Sequence, residues 1–169
     1  LPSGKEGIAM TMVNMTTQAD AWDLIPGAPW TGGTPNSDNG DFKDLPGINK
    51  GKALSGDDHV AGNENANTII GNQGNDFLRG DGGGDYLFGN KDNDALLGDE
   101  LGAPGGNDEL SGGDGDDVLA GAAGNDKMDG EADHDLLIGG SGNDSMDGGD
   151  GNDVLLGGSG HDLMYGLSG

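Results

Sequence analysis

From Gly62 onward one arrangement of apolar and polar positions recurs every nine residues. Steps of nine give GNENANTII, GNQGNDFLR, GDGGGDYLF and GNKDNDALL, and from Gly112 GGDGDDVLA, GAAGNDKMD, GEADHDLLI, GGSGNDSMD, GGDGNDVLL and GGSGHDLMY. The stretch 98–111 is one more unit with five extra residues, and ALSGDDHVA (53–61) is a degenerate first one, making twelve. Position 8 is aliphatic or Met in all twelve, position 1 is Gly in eleven, and position 6 is Asp in eleven with Asn67 the exception. The first six residues of a unit, rich in Gly, Asp and Asn, read as a turn, because glycine reaches positive φ without a steric penalty. The last three read as a short strand whose middle side chain points inward. One inward aliphatic per unit cannot build a flat sheet with a core. Two units can form one strand-turn-strand-turn coil of a flattened right-handed spiral, with the position-8 column between two stacked parallel sheets. The pattern therefore predicts an all-β fold, a right-handed parallel β-roll (β-solenoid) of about six coils, roughly 30 Å long at ~4.8 Å per strand.

Composition first argues against this reading and is then overruled by the phase. Of 169 residues, 38 are Gly and 31 acidic against 7 basic, a net charge of −24. Such chains are usually disordered, yet disorder has no use for three columns kept in register. The charge is uneven: residues 1–52 hold 4 Lys and 6 acidic residues (net −2), residues 53–169 hold 3 basic and 25 acidic (net −22). This places a flank over 1–52 and the roll over 53–169. In the flank, residues 8–25 show no clear period, prolines and glycines break the next stretch, and 36–52 reads as loop. It is expected to cap the first coil, or else to be a binding segment.

The acidity excludes nucleic acid and anionic membranes as partners, since both are polyanions. With no Cys there are no disulfides, zinc ribbons or thiol chemistry. No apolar run approaches the length of roughly 18 residues that a membrane helix needs, so no span is expected. Residues 1–30 lack a signal-peptide pattern, and the chain stops at GLSG, opening another turn as a segment of a longer protein would.

What remains is a cation binder. Calcium takes six to eight oxygen ligands from carboxylates and carbonyls, and glycine-rich turns can aim several carbonyls at one space. Successive turns on one edge lie two units apart, so an ion between them can use both position-6 carboxylates. One edge offers Asp58, Asp76, Asp94, Asp117, Asp135 and Asp153, the other Asn67, Asp85, Asp108, Asp126, Asp144 and Asp162. Five gaps per edge allow at most about ten Ca2+ ions.

GGDGDDVLA (112–120), GGSGNDSMD (139–147), GGDGNDVLL (148–156) and GGSGHDLMY (157–165) resemble the nonapeptide of repeats-in-toxin (RTX), or hemolysin-type calcium-binding, proteins. Four units fit GGxGxD completely, the others depart at one to three positions, and the resemblance covers 53–165. It implies a parallel β-roll, extracellular calcium, and type I export from Gram-negative bacteria without an N-terminal signal. It also implies carbonyl ligands near positions 1, 2 and 4: Gly112, Gly113, Gly115, Gly121, Ala122, Gly124, Gly130, Asp133, Gly139, Gly140, Gly142, Gly148, Gly149, Gly151, Gly157, Gly158 and Gly160.

Other chemistry is thin. His59, His134 and His161 fall at positions 7, 5 and 5 and read as ordinary surface residues. GxSxG, HExxH, P-loop and EF-hand signatures are absent. The expected function is a non-catalytic calcium-binding module of a secreted or cell-surface protein. The alternatives are the tail of a secreted protease or lipase with its catalytic domain upstream, or a surface-layer or adhesin segment. One outer face also stands out. Positions 7 and 9 of the odd units are Phe77, Ala95, Leu97, Val118, Ala120, Leu136, Ile138, Val154 and Leu156, interrupted only by His59, Ala61 and Arg79 at the start, while the even units show Glu109, Ser111, Lys127, Asp129, Ser145 and Asp147 at the middle of their sheet. The apolar face is expected to be covered by residues 8–30, a second roll or a neighbouring domain.

Overall fold

The computed structural model describes residues 39–41, 50–53, 55–100, 102 and 104–166. The expectations placed on residues 1–38 fall outside them. Among the described residues there is no helix, and so none to cross a membrane. The chain runs through β1 (Asn39–Asp41), β2 (Lys50–Lys52), β3 (His59–Asn63), β4 (Thr68–Gln73), β5 (Phe77–Asp81), β6 (Tyr86–Lys91) and β7 (Ala95–Asp99). It continues through β8 (Glu109–Asp114), β9 (Val118–Ala123), β10 (Lys127–Ala132), β11 (Leu136–Ser141), β12 (Ser145–Asp147), β13 (Val154–Ser159) and β14 (Leu163–Tyr165). Odd strands form one sheet and even strands the other, each in chain order and parallel throughout. This is the expected β-solenoid.

Register follows the inward column. Leu119 pairs with Leu137 and Leu137 with Leu155, each two units on. Across the extra residues the step lengthens, as in Leu87 to Leu110 and Leu96 to Leu119, and the register is kept. A one-residue slip would turn every aliphatic outward. Val60, Ile69, Leu78, Leu87, Leu96, Leu110, Leu119, Met128, Leu137 and Met146 form the buried core. Leu155 is only partly buried and Met164 is exposed, because β14 pairs with β12 alone.

Two expectations are corrected. The region 36–52, read as loop, holds β1 and β2, which extend the sheets ahead of Ala53. Gly40 pairs with Val60 and Gly51 with Ile69, so glycine stands at the inward place and the apolar signal is missing. Although β12 and β14 keep three residues, most strands from β3 on also run five or six, not three. In β9 they continue through positions 1 to 3, and burial alternates so that Leu119 and Gly121 both face inward. Position 1 is thus a second inward place, occupied by hydrogen alone.

Candidate functional site

That hydrogen makes room for a carboxylate. Each position-6 aspartate from Asp76 onward folds back from its turn, and its Oδ1 accepts the backbone N–H of the position-6 residue one coil earlier. On the odd edge Asp76 binds Asp58 N–H, Asp94 binds Asp76, Asp117 binds Asp94, Asp135 binds Asp117 and Asp153 binds Asp135. On the even edge Asp85 binds Asn67 N–H, Asp108 binds Asp85, Asp126 binds Asp108, Asp144 binds Asp126 and Asp162 binds Asp144. All ten bonds measure 2.7–3.1 Å. The structure thus sorts the position-6 residues onto two edges as the spacing predicts. Asn67 keeps the place by accepting Asn63 N–H at 2.7 Å, but brings no charge.

The second oxygen is the informative one. Oδ2 of Asp76, Asp85, Asp94, Asp108, Asp117, Asp126, Asp135 and Asp144 is buried and meets no hydrogen-bond donor. Asp144 Oδ2 and the Gly157 carbonyl oxygen flank one point beside Gly139, which a Cβ there would fill. Asp76 Oδ2 with Gly89 O, Asp94 Oδ2 with Gly112 O, and Asp108 Oδ2 with Gly121 O repeat the arrangement. Carbonyls at positions 2 and 4 also stack coil on coil, Ala122 O against Gly140 and Gly124 O against Gly142. Bare acceptors facing acceptors are costly in a buried place. A hard cation with oxygen ligands reconciles them. Among the described residues no three His, Cys, Asp or Glu side chains gather to hold an ion.

Burial shows in the acidities. Desolvation pushes Asp94 up to about 8, Asp76, Asp85, Asp108 and Asp117 to about 7, and Asp126 and Asp135 to about 6. The backbone N–H bond draws each partly back, and neighbouring carboxylates push the same way as burial. Asp144 shifts upward from the same cause, while Asp153 and Asp162, in the last coils, are only half-buried.

Backbone conformation accounts for the remaining columns. Position 4 is left-handed throughout the late turns (Gly142 φ 136°, Gly151 φ 147°), and Asp92 and Asp133 adopt it at 70° and 78°. Position 2 is left-handed too in every described unit except at Asn63 and Asp99, even where it is Asn72, Ala122 or Glu131, with φ of 85°, 80° and 76°. Strain of that kind persists only where the surroundings impose it. Among the residues for which the resemblance implies carbonyl ligands, Gly113, Gly115, Ala122, Gly124, Asp133, Gly140, Gly142, Gly149, Gly151, Gly158 and Gly160 are all left-handed. Gly112, Gly121, Gly130, Gly139, Gly148 and Gly157 are the inward position-1 residues.

Sequence reasoning missed a second ladder. Position-5 side chains accept the N–H of position 5 one coil later: Asp57 from Asn75, Asn75 from Asn93, Asn93 from Asp116, Asp116 from His134, and His134 Nδ1 from Asn152. Asn107, Asn125 and Asn143 do the same on the other edge, at 2.8–2.9 Å. It reaches forward along the chain, whereas the position-6 ladder reaches back. The signal was present, since position 5 carries a side-chain acceptor at every one of these places. His134 and His161 are exposed as expected, but His134 is a rung of this ladder.

The outer faces differ as predicted. Val118, Val154 and Leu156 are 41%, 53% and 52% exposed, Leu136 and Ile138 are half-buried, and no described residue covers them. The middle of the even face instead carries the Lys127–Glu109 ion pair at 2.6 Å, with exposed Tyr86, Leu163 and Tyr165 toward its ends.

The family model for the RTX calcium-binding nonapeptide repeat matches the chain four times, over residues 52–87, 70–100, 105–137 and 138–169. The only stretch it passes over between 52 and 169 lies at the extra residues. Comparison with curated proteins and with solved structures returned no match.

Proposed function

Because the chain belongs to the RTX calcium-binding nonapeptide-repeat family, we propose that it is a calcium-folded module of a secreted or cell-surface bacterial protein. Its task is to stay unfolded at the submicromolar calcium of the cytoplasm, pass an export channel, and fold outside. The row of buried Oδ2 atoms without donors carries this reading. On each edge, calcium would be held between successive turns by paired position-6 carboxylates, such as Asp126 with Asp144 or Asp117 with Asp135. Carbonyls of positions 1, 2 and 4 would complete the shell. The bound ion supplies the positive charge that lets these carboxylates sit one strand spacing apart. Catalysis has no place in this role. If the module is instead the tail of a secreted protease or lipase, the parent gene will carry HExxH or GxSxG upstream.

The deciding measurement is the calcium midpoint of folding in buffered titrations followed by circular dichroism. Extracellular calcium modules work near 10⁻⁴–10⁻³ M, and a midpoint of roughly that order is expected. A chain already folded at submicromolar calcium would contradict the export role.

The apolar odd face belongs to the same proposal. Parallel strands with apolar outer faces are normally covered, and Leu136, Ile138, Val154 and Leu156 form one continuous strip with Val118. Residues 8–30 carry the chain's only tryptophans, Trp22 and Trp30. Docking of that segment should blue-shift their emission when calcium is added, and Leu136→Lys with Leu156→Lys should reverse the shift while sheet content is kept. A monomer with fully exposed tryptophans would show the face to be bare.

A further inference from the structure

The turn between β7 and β8 departs from the repeat in one place. Gly98 and Asp99 stand at positions 1 and 2, residues 100–104 are extra, and Gly105, Gly106, Asn107 and Asp108 resume at positions 3 to 6. The stacking resumes as well. Gly106 sits against the Gly83 carbonyl, the Gly106 carbonyl sits against Gly124, and Asp108 joins its ladder. Something must close the break, because a loop left to itself bears the entropy of joining its ends.

Asp99 is the residue at the break. It is 0% exposed, and its two carboxylate oxygens each accept the Gly106 N–H at 3.2 Å, with the Ala123 N–H donating as well. Position-2 residues Asp81, Ala122 and Gly140 on the same edge are left-handed, whereas Asp99, like Asn63 in the first turn of that edge, is not among the residues with positive φ. Its side chain therefore turns into the turn. Gly105 answers it: a Cβ there would overlap both Asp99 Oδ2 and the Ala123 carbonyl oxygen. Other units tolerate Gln73, Lys91, Asp114 or Ser141 at position 3, so glycine is required here by the Ala123 carbonyl and the Asp99 carboxylate together. Asp76, Asp94 and the other position-6 aspartates with a donorless Oδ2 are bonded at one oxygen only, whereas both oxygens of Asp99 have a donor.

We infer that Asp99 is a positioning residue for the cation sites of this edge, a carboxylate clasp that rejoins positions 2 and 4 across the five-residue interruption. It acts through Gly106 and Ala123, presenting the turn's carbonyls and Asp108 to the gaps on either side. The inference rests on the calcium reading above and adds a requirement which the repeat pattern does not contain: an interrupted turn needs an anion of its own.

The test compares Asp99→Ala, deletion of residues 100–104 combined with Asp99→Gly, and the unaltered chain. The combined variant reads Gly98-Gly-Gly105-Gly106-Asn107-Asp108, a complete uninterrupted turn. Calcium midpoint and the Tm of the calcium-saturated protein are read for all three. Loss of charge-assisted bonds should lower the folded-to-unfolded ratio about tenfold or more in Asp99→Ala, with Tm down by about 4 °C or more. The midpoint should rise, and the combined variant should match or exceed the unaltered chain on both readouts. If Asp99→Ala does not fold at all, folding of the combined variant still supports the clasp. An unchanged Asp99→Ala, or a combined variant as impaired as the single one, overturns it. Failure of the calcium reading looks different. It appears as no calcium transition in the unaltered chain, and the Tm order of the three proteins then decides for or against the clasp alone.

Discussion

In EGTA at neutral pH the far-UV sheet signal is expected to vanish, and millimolar calcium, but not magnesium, to restore it. The roll has one buried aliphatic per unit, and its other inward place is glycine. That interior is too lean to offset the entropy of ordering so many residues. Like charges also line each edge. Two carboxylates a strand spacing of ~4.8 Å apart repel by about 3 kcal/mol at an effective dielectric of about 20, and the position-6 ladders repeat that contact along both edges. Calcium reverses the sign of the interaction. Magnesium requires a small octahedral shell and releases water reluctantly, so a gap built of stacked carbonyls suits it poorly. The expected effect is all or nothing: folded with calcium, unfolded without it. A strong sheet spectrum in EGTA would refute the lean-core argument.

Acid should act as a competing ligand. The buried aspartates lie at about 6 to 8 in the metal-free fold, above the ordinary 3.8. Such a fold binds more protons than the unfolded chain between those limits. Its stability is therefore fully present below the ordinary carboxylate value, and is lost as pH rises through 6 to 8. Calcium needs the same groups deprotonated. Each ligand near 7 that must shed its proton lowers apparent affinity about tenfold per pH unit below that value. The calcium midpoint should thus rise by about an order of magnitude or more between pH 8 and pH 5.5. Without calcium, sheet content should increase as pH falls toward 4. Dilute protein is needed there, because the isoelectric point is about 4.1. A midpoint independent of pH would show that the position-6 carboxylates are not the groups that meet the ion.

The roll was legible because its columns are chemically unlike one another. Leu119, Gly121 and Asp117 belong to an aliphatic, a glycine and an aspartate column, so periodicity alone leads to strands and edges. Gly40 and Gly51 show where that stops. They occupy the inward place of β1 and β2 without an apolar side chain, and pairing through the backbone leaves no trace in hydrophobicity. Position 2 was obscure for another reason: Ala122 and Glu131 adopt left-handed φ against their own preference, which only stacking imposes. Asp99 looks in sequence like one more acidic turn residue. Its role depends on where the chain returns at Gly105, and spacing does not reveal that.

The alternation of sheets bears on how an array of this kind can change length during evolution. Val118, Leu136 and Val154 share one face because they are spaced by two units, and Glu109, Lys127 and Ser145 share the other for the same reason. Gain or loss of two adjacent units leaves both surfaces intact. Removal of a single unit would preserve the interior column, since every position 8 is equivalent, but would reverse the parity of everything downstream. The apolar strip would then break off and continue on the opposite wall, with charged residues facing whatever the strip had met. Mutational drift in repeat number is thus free in pairs of units and penalised in single ones, a constraint imposed by the outside of the roll and not by its calcium chemistry.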